Sequence, residues 1–259
     1  SDVCSSDLIG DSIYLFGAQF EENNFANGYV PTTTTSATAD VAGKLRFEAE
    51  GALLEGASTN ELLYSEEFDN AAWAKVGTTI ITPNTTAAPD GATTADTFDN
   101  SVGGGSQDIV QNFGVLSGSY TFSYFVKEGT ASKCSIRAFE SGVADYRADF
   151  DLTTQIFSNL ATVTQNDLSF ESLAGGWFRI SMAFSPTGAS GILDVRIALD
   201  IAQTETGTLF IWGAQLEELP LPTSYIPTTV APVARAANIF SSNYENNFPD
   251  QDFTIVIDL

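Results

Sequence analysis

The 259-residue chain has no histidine, one methionine and two cysteines, Cys4 and Cys134. Without histidine there is no Ser–His or Cys–His nucleophile, no imidazole base, and none of the commonest zinc ligand. Two cysteines so far apart do not make a disulfide framework. Positive charge is scarce as well: 10 Lys and Arg stand against 33 Asp and Glu, a net of −23. Such a surface is repelled by DNA, RNA and anionic bilayers, so nucleic acid is not an expected partner. No apolar run approaches the roughly 20 residues that span a bilayer, so membrane insertion is not expected. The start shows no basic region followed by an apolar one, as a signal peptide would. No nucleophile elbow, phosphate loop or metal triad is present, and no motif singles out the carboxylate pair that glycoside hydrolysis needs. Catalysis is therefore not expected of this segment.

What is present reads as a folded all-β protein. The hydrophobic share is 43% and the aromatic share 12%, too high for a disordered acidic chain. Short β-like runs alternate with turn residues, and no helical period is sustained. In Ser119–Lys127, Tyr120, Phe122, Tyr124 and Val126 share one face, opposite Thr121 and Ser123. In Gly191–Leu199, Leu193, Val195, Ile197 and Leu199 point one way and Asp194, Arg196 and Ala198 the other. Further strands are expected at Lys44–Ala49, Thr78–Thr82, Gln107–Phe113, Ser132–Glu140, Tyr146–Leu152, Leu168–Leu173, Trp177–Phe184 and Thr208–Gln215. Pro89-Asp90-Gly91, Gly103-Gly104-Gly105, Gly175-Gly176 and Pro186-Thr187-Gly188 mark turns. Ser65–Lys75 reads as a loop with one helical turn. This pattern predicts a two-sheet antiparallel β-sandwich, a jelly roll in preference to an immunoglobulin-like sandwich.

An internal repeat gives the domain organisation. Gly17–Thr33, GAQFEENNFANGYVPTT, matches Gly213–Thr229, GAQLEELPLPTSYIPTT, at 9 of 17 positions without a gap, an offset of 196 residues (17 to 213). An apolar run ending in Gly-Ala-Gln and then acids reads as a last strand leaving the core, and the proline that follows keeps the chain extended. Residues 1–40 are expected to be the last strand and linker of a preceding repeat, with Ser1–Leu8 resembling a translated sequencing-adapter tail. Residues 41–237 would form one complete module; the competing reading is a single sandwich of all 259 residues that uses both copies. Residues 238–259, ending in DFTIVIDL, would open a following β domain. The apolar segments Ile13–Gln19 and Phe253–Asp258 are expected to pack onto a sandwich edge or onto each other.

Leu53–Lys75, then Pro89-Asp90-Gly91, Tyr120–Gly129, Gly176–Ser181 and Ile211–Thr228 occur in an order that resembles a known family. They look like the jelly-roll modules, similar to family 4/9 carbohydrate-binding modules, of phage tail and head-fibre proteins, which stand beside concanavalin-like (laminin-G-like) domains. The resemblance covers residues 44–237, and 238–259 resemble the start of such a neighbour. It implies a lectin-like sandwich without catalysis, at a virion surface or outside the cell. The expected partners are a glycan or host surface receptor, the neighbouring domains of the same chain, and further copies in a homo-oligomer. The alternatives are a purely structural spacer in a repetitive fibre and an ancillary module of a secreted glycoside hydrolase.

Sugar-binding modules hold pyranose rings against aromatic faces and fix them with polar side chains. Trp73, outside the clear strands, is the best candidate for an exposed platform, with a loop tryptophan tucked over a sandwich edge as the competing reading, whereas Trp177 and Trp212 sit in apolar strands and are expected in the core. Tyr146 and Arg147, with Arg137, Asp194 and Arg196, would line a polar sheet face if their strands are neighbours, and the arginines would offer planar hydrogen-bond forks. The competing reading of the same residues is a solvated face of arginine–acid pairs. Glu66, Glu67 and Asp69 in one loop, with Asp96 and Asp99, are candidate ligands for a structural calcium ion, which takes six to eight oxygens. Glu217-Glu218, repeated as Glu21-Glu22, suggests a structural role at the strand exit. Cys134, in a strand-like run, is expected to be packed rather than reactive.

Overall fold

The alternation in Ser119–Lys127 is realised: Tyr120, Phe122, Tyr124 and Val126 are buried in a core between two sheets, and Leu193, Val195, Ile197 and Leu199 meet them from the other side. In this computed structural model the described residues are 55–238, apart from 104–106, 115, 190 and 203, together with the backbone of 46–48 and 51–53. The expectations for Ile13–Gln19 and Phe253–Asp258, and for the domains at 1–40 and 238–259, lie outside the described residues, except for Asn238.

Strands are numbered in chain order. The front sheet runs, edge to edge, β11 (Ile156–Ala161), β10 (Ala144–Asp151), β9 (Lys133–Glu140), β14 (Leu193–Ala198), β7 (Asp108–Phe113) and β4 (Ala74–Lys75). The back sheet runs β12 (Leu168–Ser172), β13 (Trp177–Phe184), β8 (Tyr120–Glu128), β15 (Thr208–Glu217), β6 (Ala95–Asp99) and β5 (Ile80–Thr86). Two short pairs flank them: β1 (Arg46–Glu48) with β2 (Gly51–Leu53), and β3 (Ser58–Asn60) with β16 (Val233–Arg235). Each pairing is antiparallel. From β6 to β9 the chain changes sheet at every step, and again from β13 to β15. That winding is jelly-roll-like; an immunoglobulin-like sandwich keeps more of its neighbours in one sheet. Ser65–Lys75 contains no helix; Glu67, Asn70 and Trp73 each donate a backbone N–H to the carbonyl three residues back, making successive turns.

The outer face of the back sheet is covered as well. Phe125, Trp177 and Trp212, on the phase opposite the core, form a second buried cluster with Ala88 and Ala95, against which Tyr225 packs. Both tryptophans are therefore buried as expected, but outside the sheets rather than between them. Trp177 Nε1 donates to Ala87 O at 3.2 Å and Trp212 Nε1 to Thr94 Oγ1 at 3.0 Å.

The second copy of the repeat closes this face. β15 loses its register with β8 between Trp212 and Gln215, where Gly213 has φ +59°. Buried side chains replace the ladder there. Asn60 donates to Ala214 O and Ile226 O and accepts from Leu62 N and Leu216 N. Gln215 Oε1 accepts from Ile226 N at 2.6 Å. Glu217 accepts from Ser58 Oγ, Thr223 N and Thr223 Oγ1. Tyr225 OH meets Ser65 Oγ at 2.6 Å and donates to Glu66. Thr228 exchanges hydrogen bonds with Ser65. Glu217 thus has the structural role expected of it.

A Cβ at position 213 would lie 2.9 Å from Phe125 Cδ2 and 3.3 Å from Tyr225 Cε2. Strain at positive φ and overpacking against two rings act together. Gly213→Ala should destabilise the fold by about 2–4 kcal/mol, measured as a loss of urea midpoint at unchanged slope.

Candidate functional site

Alternation along the front sheet puts Tyr146, Ala148 and Phe150 of β10 inside and Asp145, Arg147 and Asp149 outside. On β9 the outward phase is Ser135, Arg137 and Phe139, and on β14 it is Asp194, Arg196 and Ala198. The registers align these strands residue for residue. Arg147 faces Arg137, and Arg137 faces Arg196; one step along, Asp145 and Asp194 flank Phe139. Three of the chain's ten cations thus stand in one cross-strand row, beside a row of Asp, Phe and Asp.

Like charges directly opposite one another repel, so such a row needs acids between its members. Asp145 accepts from Arg137 Nε (2.6 Å) and Nη2 (3.1 Å) and from Arg147 Nη1 (2.8 Å), bridging the first two. Asp194 takes a bidentate fork from Arg196 Nε (2.6 Å) and Nη2 (2.8 Å), and Arg196 Nη1 reaches Asp108 at 3.0 Å. These charged hydrogen bonds, with Asp194 first, raise the Arg196 pKa further despite its burial. The guanidiniums of Arg137 (4.9 Å) and Arg196 (5.3 Å) both lie over the Phe139 ring. Arg147 Nε is buried without a hydrogen-bond partner. Below the row, a dimple of about 10 Å³ lined by Asp108, Ser135, Arg137, Arg196 and Asp200 holds at most one water. The face is a polar lattice, not a pocket.

Of the residues expected here, Arg137, Arg147, Asp194 and Arg196 meet on one face. Tyr146 does not. It points into the core, with its hydroxyl donating to Ser185 O at 2.9 Å, because adjacent residues of a strand face opposite ways. Trp73 is a further correction: it is 0% exposed, packed 5.1 Å from Phe68, and Nε1 donates to Tyr64 O, so no sugar ring reaches it. The succession of turns before β4 folds it over the sandwich end. Phe139 went unremarked in the sequence, although it shares its phase with Arg137.

The candidate calcium ligands do not converge: among the described residues no group of three or more acids could hold a metal ion. Glu66 accepts from Tyr225 OH, while Asp99 Oδ1 accepts from Ser101 N in its own turn. Glu67 and Asp69 are exposed. Asp96 is buried and accepts backbone N–H groups from Phe68 and Asn84, both at 2.9 Å. It anchors two loops. Cys134 is fully buried, and burial pushes its thiol up to about 12, which makes it unreactive.

No protein-family model matches the chain, and no curated protein is similar to it. Solved structures show partial likeness. TmCBM61, in complex with β-1,4-galactotriose, has a TM-score of 0.39 and 12% identity, over 60% of this chain and 97% of that one. The CBM22-1–GH10 modules of the Clostridium thermocellum endo-1,4-β-D-xylanase 10B, complexed with xylohexaose, have 0.39 and 18%, over 68% and 30%. The enzymatically active domain of bacteriophage CBA120 tailspike protein 4 has 0.37 and 11%, over 61% and 21%. At identities and scores this low, nothing about the site rests on the likeness.

Two expectations follow from these contacts. Burial raises the Asp96 carboxyl to about 6, from an ordinary 3.8, and also raises Glu61, Glu66 and Asp149. Between the unfolded and folded values the native chain binds more protons, so stability rises as pH falls through 6 toward 4. Asp151, held low by the backbone N–H of Thr154, loses its contribution as the pH falls further. Thermal midpoints should therefore be higher at pH 5 than at pH 7.5; Asp96→Asn should flatten that slope and lower the midpoint, because an amide NH₂ would face a backbone N–H. Arg196→Ala leaves the buried Asp194 without its fork and should cost about 1–3 kcal/mol in chemical denaturation.

Proposed function

We propose that the chain is a non-catalytic glycan-binding module that holds a neutral sugar chain along the outer face of the front sheet. The observation that carries this is the registered row Arg147–Arg137–Arg196 beside Asp145–Phe139–Asp194. Arginine forks locked by carboxylates present donors and acceptors at fixed spacing, which is what pyranose hydroxyls require. Phe139 supplies the apolar element. On this face the described residues form no pocket beyond the small dimple, which favours a ligand lying across the strands over an enclosed single sugar. Net charge decides against acidic glycans: the three arginines are matched by Asp145, Asp194 and Asp108, in a chain of −23.

A host-surface glycan or receptor on a phage tail or fibre fits this reading, as does an ancillary role beside a glycosidase. No described helix is long and apolar enough to cross a membrane. The second reading is the structural spacer, favoured by one observation: each arginine of the row already has an acid.

A panel of neutral and acidic oligosaccharides separates the two. Saturable binding to a neutral glycan should weaken about tenfold or more (~1.4 kcal/mol) in Arg147→Ala and in Phe139→Ala. It should change little between low and high salt, because the ligand is uncharged. A folded chain that binds no glycan at all would leave the spacer reading in place.

A further inference from the structure

The two sheets end on the same side in the edge strands β11 and β12, and a groove of about 510 Å³ opens there. Its lining includes Gln155, Ile156, Phe157, Gln165, Ser169 and Phe170. We infer that this groove is a second ligand site, distinct from the arginine row, and that it takes the pyranose ring of a neutral oligosaccharide. The inference stands apart from the front-face reading.

Four observations carry it. The volume falls within the range of small-molecule sites. Its floor is aromatic: Phe170 lies 5.1 Å from Phe150 and 6.4 Å from Phe157, yet stays 39% exposed, and Ile156 is 60% exposed. The rim is polar but uncharged, because none of the lining residues is ionisable in a chain with 33 acids. A ligand with one apolar face and a fringe of hydroxyls matches such a lining; a charged peptide or lipid headgroup finds no counter-ion in it. Finally, the amides are placed deliberately. Gln165 Nε2 is tied to Phe157 O at 3.1 Å, which leaves Oε1 as an acceptor. Gln155 sits at φ +58°, where glycine or asparagine is the usual choice, so its side chain is kept at a conformational cost.

Addition of a strand is the competing use of an exposed edge. The β11 edge is poorly suited to it. Asn159, at φ +54°, kinks the strand, and its register with β10 shifts between Arg147 and Asp149. Only three residues, 156–158, remain straight enough to template a partner.

The test is a ¹⁵N-resolved titration of the 259-residue chain with neutral gluco-, galacto- and xylo-configured oligosaccharides up to about 10 mM, which detects millimolar Kd values. Saturable shifts at residues 155–157 and 165–170 are expected. They should weaken about tenfold in Phe170→Ala and severalfold in Gln155→Gly, a change the left-handed backbone accepts without loss of fold, and persist in Arg147→Ala. Shifts confined to residues 137–147 and 194–196 would overturn the second site while leaving the front-face reading intact. No shift at the groove with any sugar would overturn it too. So would concentration-dependent dimerisation abolished by Phe170→Ser, which would make the groove a self-interface.

Discussion

At the middle of β15 the backbone ladder stops, and side chains take over. Asn60 and Gln215 are fully buried amides: Asn60 takes up Ala214 O and Leu216 N where Gly213 turns the strand out of register with β8, and Gln215 holds Ile226 N of the returning segment. A buried amide without partners is costly; one with four partners specifies a single arrangement. β15 lies at the centre of the back sheet, so this exchange fixes where the sheet ends and how the segment 219–229 returns over it. Glu217, Tyr225 and Thr228 complete the closure by gripping Ser58, Ser65 and Glu66, far upstream in the sequence. β3 and β16 then pair, with Glu55 bound to Arg235 and to Ser224 N, joining the two ends of the sandwich.

This closure also accounts for the repeat. Of the nine positions identical in Gly17–Thr33 and Gly213–Thr229, Gly213, Ala214, Gln215, Glu217, Tyr225 and Thr228 all take part in it. The identities follow structural need rather than any ligand. The same closure occupies the outer face of the back sheet, where Arg179 stacks on Phe125 and donates to Thr223 O and Ser123 Oγ. Around Phe125 that face is therefore covered by the chain itself. The front sheet remains, and the arginine row lies on it.

Much of this was legible, and the failures have physical causes. Period-2 alternation located β8 and β14 and set the faces of their side chains, because a half-buried strand must alternate; β9 and β10 were legible as strands only. The arginine row was legible only as a condition, since register depends on pairings between residues distant in sequence. Tyr146 was grouped with Arg147 by proximity, although the same alternation assigns adjacent residues to opposite faces. Phe139 carried a usable signal, two positions after Arg137 on the same strand. For Trp73 the sequence left two readings open, platform or edge cover, because the burial that decides between them depends on a run of turns packing over the sandwich end, which no local pattern encodes. β6, β11 and the edge groove escaped because Ala95–Asp99 and Ile156–Ala161 are short and mixed in polarity.

Whether the registered face of β10, β9 and β14 binds sugar is decided by a crystal structure of the chain with the neutral oligosaccharide that binds it most tightly. The expected result is a sugar chain lying across the strands, its hydroxyls hydrogen-bonded to Arg147 and Arg137 and one ring against Phe139. A sugar seated elsewhere, with the arginine row still closed on Asp145 and Asp194, would contradict it.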